Sequence, residues 1–210
     1  MASSDLFSVR LTGRGGHGAS PHLTVDPVVA AAQIVSALQT ITSRNVDPLA
    51  TAVVSVTTVH AGTGFNVIPQ EAELTGTIRA FEPAVGNKVL ERFERIARTV
   101  GEAMGCQVQI EVKRFAPATI NDAGISAKLQ ATARRLFPES ELQTQGYLTM
   151  GAEDMAFMQE QVPGCYLFVG SSNAEKKLDY AHHHPKFDFD ERALPRAAAL
   201  MAAAAADLLS

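Results

Sequence analysis

The stretch Ala52-Val53-Val54-Ser55-Val56-Thr57-Thr58-Val59 is followed across a loop by Glu71-Ala72-Glu73-Leu74-Thr75-Gly76-Thr77-Ile78-Arg79-Ala80-Phe81, which puts two strands side by side in sequence. The first is rich in β-branched residues, which suit a pleated, half-buried surface. In the second, Ala72, Leu74, Gly76 and Ile78 alternate with Glu71, Glu73, Thr75, Thr77 and Arg79, the period-2 mark of a strand with one wet face. Upstream, residues 5–11 also alternate and stop at the glycine cluster Gly13, Gly15, Gly16 and Gly18. A helix follows, with Asp26 as N-cap, Pro27 in the first turn and apolar residues at helical spacing up to about Arg44. Downstream, Val89, Phe93, Ile96, Ala97 and Val100 line one face of a second helix, Val85 to Met104; Gly105 closes it before a strand from Gln107 to Phe115. Strand, helix, strand, strand, helix, strand is the split β-α-β order of ferredoxin-like domains, two helices over one face of a four-stranded antiparallel sheet. Residues 5–115 are assigned to it.

Residues 116–210 read differently. Helices are expected at 122–137, 153–161 and 190–209, with one strand, Gly164 to Val169. One strand cannot make an independent sheet, so this block reads as the closing piece of an α/β domain whose other strands lie elsewhere. The fold class is therefore α+β: a ferredoxin-like domain, then part of an α/β domain.

Composition narrows the function. A chain of 210 residues, 46% apolar and 19% charged, can bury an ordinary core. A net charge of -4 without a basic cluster argues against nucleic acid as partner. No apolar run approaches the roughly 18 residues of a membrane span, and residues 1–9 lack the basic start and apolar centre of a secretory leader, so a cytoplasmic location is expected. Cys106 and Cys165 are far apart and outside any C-x-x-C spacing, which favours free thiols. Small molecules or peptides are the expected ligands.

Several residues stand out as chemistry-bearing. His17 lies in Gly13-Arg14-Gly15-Gly16-His17-Gly18-Ala19-Ser20-Pro21-His22, where backbone can approach a ligand closely; a turn histidine bonded to backbone is the alternative. A phosphate loop fits poorly, because G-x-x-x-x-G-K-[ST] is not met. His182-His183-His184 offers imidazoles, the commonest metal ligands, but adjacent residues seldom face one ion, and a solvated loop is the alternative. Asn66, in Gly64-Phe65-Asn66-Val67-Ile68-Pro69, and Arg79, in Gly76-Thr77-Ile78-Arg79, are polar groups beside apolar runs. The Arg79 fork suits a carboxylate, either a ligand's or that of a cross-strand glutamate. Glu153-Asp154 could supply a general base or a metal ligand, but at a helix start such a pair is more often a cap and a first-turn charge, and Asp190-Glu191 reads as the cap of the last helix.

Taken in order, G-R-G-G-H-G-A-S-P-H, D-P-V-V-A-A-A-Q, F-N-V-I-P, G-T-I-R, M-G-A-E-D-M and H-H-P-K-F-D-F-D-E resemble the metal-dependent amidohydrolases that include hippurate hydrolases, N-acyl-amino-acid deacylases and indoleacetyl-amino-acid hydrolases. The resemblance implies an α/β metallopeptidase catalytic domain with two divalent ions (zinc, manganese, cobalt or nickel) and a ferredoxin-like lid that also forms a homodimer. It implies that residues 5–115 are that lid and 116–210 the C-terminal part of the catalytic domain. By the same resemblance, His17 stabilises an oxyanion in a neighbouring subunit's site, Asn66 and Arg79 grip the carboxylate of an N-acylated amino-acid-like substrate, and His183 is a metal ligand. The family's His-x-Cys-Gly-His-Asp segment and Glu-Glu pair are not in this sequence. The expectation is a C-terminal portion that is inactive alone; a non-catalytic dimerisation or small-ligand module is the alternative.

Overall fold

The computed structural model describes residues 1–144 and 147–209. They form two compact units: Met1–Thr119 with Leu148–Phe157, and Ile120–Tyr147 with Met158–Ser210. The elements in chain order are β1 (Ser4–Thr12), β2 (Gly16–His17), α1 (Pro27–Thr40), β3 (Ala52–Ala61), β4 (Val67–Ile68), β5 (Glu71–Ala80), α2 (Pro83–Ala103), β6 (Gln107–Ala116), α3 (Ala123–Leu136), α4 (Met155–Gln159) and α5 (Ala193–Leu209).

In the first unit four antiparallel strands lie in the order β3-β5-β1-β6, the ferredoxin-like arrangement expected from the sequence. Alternation explains the layering. Phe7, Val9 and Leu11 of β1 and Ala72, Leu74 and Ile78 of β5 pack against Ile34 and Leu38 of α1 and Val89, Phe93 and Ala97 of α2. Phe7 and Phe93 meet with ring centroids 4.4 Å apart. Gly76 is needed at the centre, where a Cβ would stand 2.0 Å from the Ser55 carbonyl oxygen and 2.4 Å from Phe7. The Asp26 carboxylate accepts the Val28 N–H at 2.8 Å, capping α1 as expected. The end of α1 is a π-turn, Ile41–Asn45, rather than a regular helix running to Arg44. Gly105, at φ 84°, terminates the turn after α2 in the left-handed region that glycine favours.

The short β2–β4 ribbon is a feature the glycine cluster concealed. Gly16 pairs with Ile68 and His17 with Val67, prolonging the β1–β5 ladder past Thr12 and Glu71. Gly13, Gly15 and Gly18 stand at G-x-G-x-x-G spacing, but β2 lies between Gly15 and Gly18, where a dinucleotide-binding turn would open a helix.

Residues 148–157 belong to the first unit. The Ala2 N–H bonds the Thr149 carbonyl at 3.1 Å, and Arg79 Nη1 bonds the Met150 carbonyl at 2.8 Å.

The second unit holds α3 and α5, joined where the Asp207 carboxylate accepts from the Thr132 hydroxyl and from Arg135. Asp122 caps α3 by accepting the Ile125 N–H at 2.8 Å. Among the described residues of this unit only Thr132, Asp190, Leu200 and Ala204 are buried. The strand expected at Gly164–Val169 does not form: the segment runs without turn or bend but pairs with no strand. A strand needs a neighbour to take its backbone groups, and none is present among the described residues. Helix α4 is shorter than expected, and α5 begins at Ala193 because Asp190 is engaged by Asn173, Lys176 and Arg192 just before it. No helix among the described residues is long and apolar enough to cross a membrane, and both cysteines are free.

Candidate functional site

The glycines before His17 are there because backbone comes close. A Cβ on Gly13 would meet the Val25 carbonyl oxygen at 2.2 Å, and one on Gly15 the Ile68 carbonyl oxygen at 2.7 Å. Gln70 staples the entry to the ribbon. Its amide accepts the Gly15 N–H at 3.0 Å and donates to the Gly13 carbonyl at 2.6 Å. Nothing in the sequence pattern marks Gln70, because its partners are backbone atoms brought near only by the fold.

At the ribbon tip the Ala19 N–H donates to His17 Nδ1 at 3.0 Å. A ring nitrogen that accepts is unprotonated, so the neutral imidazole carries its proton on Nε2. The ring is exposed, and Nε2 makes no hydrogen bond among the described residues. The turn bond weighed as the alternative is therefore present, and it leaves a donor pointing away from the turn. The Gly18 N–H bonds the Asn66 carbonyl at 2.8 Å, which holds Asn66 beside His17 with its side chain exposed.

Arg79 lies on the sheet face away from the helices, half-buried, opposite Val53. Its partner is the Met150 carbonyl, not a cross-strand glutamate, and it forms no ion pair among the described residues. Glu71 to Arg79 along β5 spans about 26 Å at ~3.3 Å per residue, with the ribbon continuing beyond the Glu71 end. One chain thus unites His17 and Asn66 but leaves Arg79 at the far end of the sheet.

His183 lies in the second unit, in a left-handed conformation at φ 66°. Such a backbone is uncommon outside glycine and costs about 1–2 kcal/mol. Its neighbours are otherwise engaged: the His184 ring stacks on Tyr180 at 4.5 Å, and the His182 ring meets the edge of Phe187 at 4.8 Å. Among the described residues no three His, Cys, Asp or Glu side chains converge, so the ligands present do not by themselves fit a two-metal centre. A hollow of about 560 Å³ between residues 120–123 and 159–164 contains none of the four candidates.

Comparison with known proteins supplies the class and then the family. The chain is 38% identical over 200 residues to the N-acetylcysteine deacetylase of Bacillus subtilis, covering 92% of this chain and 49% of that protein. It is 34% identical over 202 residues to the hippurate hydrolase of Campylobacter jejuni, covering 96% and 51%. The fold matches a crystal structure of a dinuclear metal-binding peptidase of the M20 family from Bacillus subtilis, at TM-score 0.76 and 32% identity over 98% of this chain and 49% of that one. A Staphylococcus aureus aminohydrolase structure matches at TM-score 0.83 and 28% identity, covering 100% and 53%. These are hydrolases. Residues 24–207 match peptidase family M20/M25/M40, and the chain belongs to that family. It spans about half the length of the relatives it matches.

Proposed function

We propose that this chain is the substrate-holding part of a metal-dependent amidohydrolase that cleaves the amide bond of N-acyl amino acids or similar small amides. The observation that carries the reading is the His17 turn: its Nδ1 is tied to the Ala19 N–H, which leaves an Nε2–H donor free at the ribbon tip beside Asn66. A fixed donor is what the oxygen of an amide carbonyl needs as negative charge builds on it. Arg79 supplies the second function. Among the described residues its guanidinium has only a neutral carbonyl as partner, and it can take a substrate carboxylate with its remaining N–H groups. The roughly 26 Å along β5 exceeds the reach of one small substrate, which favours a homodimer in which His17 and Asn66 act in one site and Arg79 in the other. Two divalent ions belong to the proposal, with His183 as the ligand contributed here and the remaining ligands on the portion of the family fold that this chain does not span. Two free cysteines accord with a cytoplasmic protein.

The test joins this chain to the unspanned portion of the Bacillus subtilis N-acetylcysteine deacetylase and assays hydrolysis of N-acetyl-L-cysteine. His17→Ala is expected to lower kcat about 100- to 1,000-fold with KM little changed. Undiminished kcat in that variant would remove His17 from the proposal. The chain alone is expected neither to hydrolyse the substrate nor to bind two zinc ions tightly by calorimetric titration; success at both would overturn the division of labour.

A further inference from the structure

The tip of the β2–β4 ribbon sets its polar groups among exposed apolar ones. Phe65 is 103% exposed, the most of any large apolar residue among those described. Val67, the rung partner of His17, is 56% exposed. Leu23, 63% exposed, ends a 3-10 turn, Pro21–Leu23, that is tied to the ribbon where the Ser20 N–H donates to the His17 carbonyl at 2.8 Å. Phe65 is fixed in place by its neighbour: the Asn66 carbonyl takes the Gly18 N–H at 2.8 Å, and Gly18 follows His17. Before it, Gly62 turns the chain in the left-handed region, at φ 66°.

A single phenylalanine on a surface is ordinary. A fully exposed one held beside a directed Nε2–H donor has the make-up of a small-molecule contact, which is mostly apolar with a few placed polar groups. We infer that Phe65 touches the acyl group of the substrate and sets a preference for bulky apolar acyl groups. The inference rests on the functional reading above. The acyl end follows from connectivity, because His17 meets the oxygen of the scissile carbonyl and the acyl chain is bonded to that same carbon. The far end of the substrate carries the carboxylate, which Arg79 takes and to which a phenyl ring offers no hydrogen bond. The amino-acid side chain is the competing contact.

The test uses the joined protein described above and compares kcat/KM for N-acetylglycine, N-benzoylglycine and N-acetyl-L-leucine. Phe65→Ala is expected to lower the benzoyl-to-acetyl ratio about tenfold, with the leucine-to-glycine ratio unchanged. Phe65→Tyr, which keeps the ring, should preserve both ratios. An equal loss on all three substrates would make the ring an anchor of the ribbon on protein and overturn the inference. A shift in the leucine-to-glycine ratio in place of the acyl ratio overturns it too, in favour of the amino-acid side chain. If Phe65→Ala hydrolyses all three as the parent does, the ring touches no substrate and the proposed function stands. A parent protein that hydrolyses none of them sinks the proposed function, and this inference with it.

Discussion

On the proposed function, a backbone bond selects the chemical role of His17. The Ala19 N–H occupies Nδ1 and fixes the tautomer, so a substitution that keeps polarity but loses the Nε2 donor should act on kcat and leave binding alone. Arg79 should behave in the opposite sense. In the assembled enzyme Arg79→Ala is expected to raise KM for a substrate with a free carboxylate, and to matter far less for the corresponding carboxamide; equal effects on both would assign the residue to loop support alone. Asp190 carries a different prediction. The Arg192 guanidinium, with the Asn173 amide, holds its carboxyl well below the usual range. A depressed folded-state pKa gives stability that is present above the unfolded value of about 4 and is lost as pH falls through the folded one. Burial pushes Asp5 the other way, so its contribution is present below the unfolded value and lost as pH rises through the folded one. Thermal melts from pH 5 down to pH 3 should therefore fall less steeply in Asp190→Asn than in the parent, with the variant less stable at pH 7. His17, Asn66, Arg79 and His183 were all visible as polar residues in informative surroundings; the Nδ1 bond, the Gln70 staple and the Met150 carbonyl were not, because each depends on backbone atoms distant in sequence or on a turn the glycines obscure.

Among elements, those with strong periodicity were the most legible. β1, β5, α1 and α2 alternate or repeat cleanly, and their burial follows that pattern. The ribbon was hidden because glycine has no side chain to register a face. The run 164–169 was misread for a reason that lies outside it: its residues favour a strand, but a strand is a property of two segments. Gly76 offers a test of element packing. Gly76→Ala must displace both the Ser55 carbonyl and the Phe7 ring, and overpacking of this kind costs about 1–3 kcal/mol. Urea titration of the two proteins should show a lower midpoint with an unchanged slope; an unchanged midpoint would mean β3 shifts freely.

Across the whole molecule, burial is uneven. The first unit has a continuous core beneath its sheet, whereas the second, among its described residues, buries four side chains. Local stability follows buried contacts. Amides of β1, β5 and α2 are therefore expected to exchange slowly and those of α3 and α5 much faster in this chain by itself; comparable rates would show that the second unit is self-sufficient. The chain spans about half the length of the relatives it matches. The β2–β4 ribbon has one more consequence. It is a cantilever: two residues of ladder beyond the last rung of a four-stranded sheet, clamped at its root by one glutamine. Small rotations at that root are magnified at His17, so damage to the clamp would blunt aim without loosening the core. On the proposed function, loss of the Gln70 side chain would therefore lower kcat while leaving the melting temperature nearly unchanged.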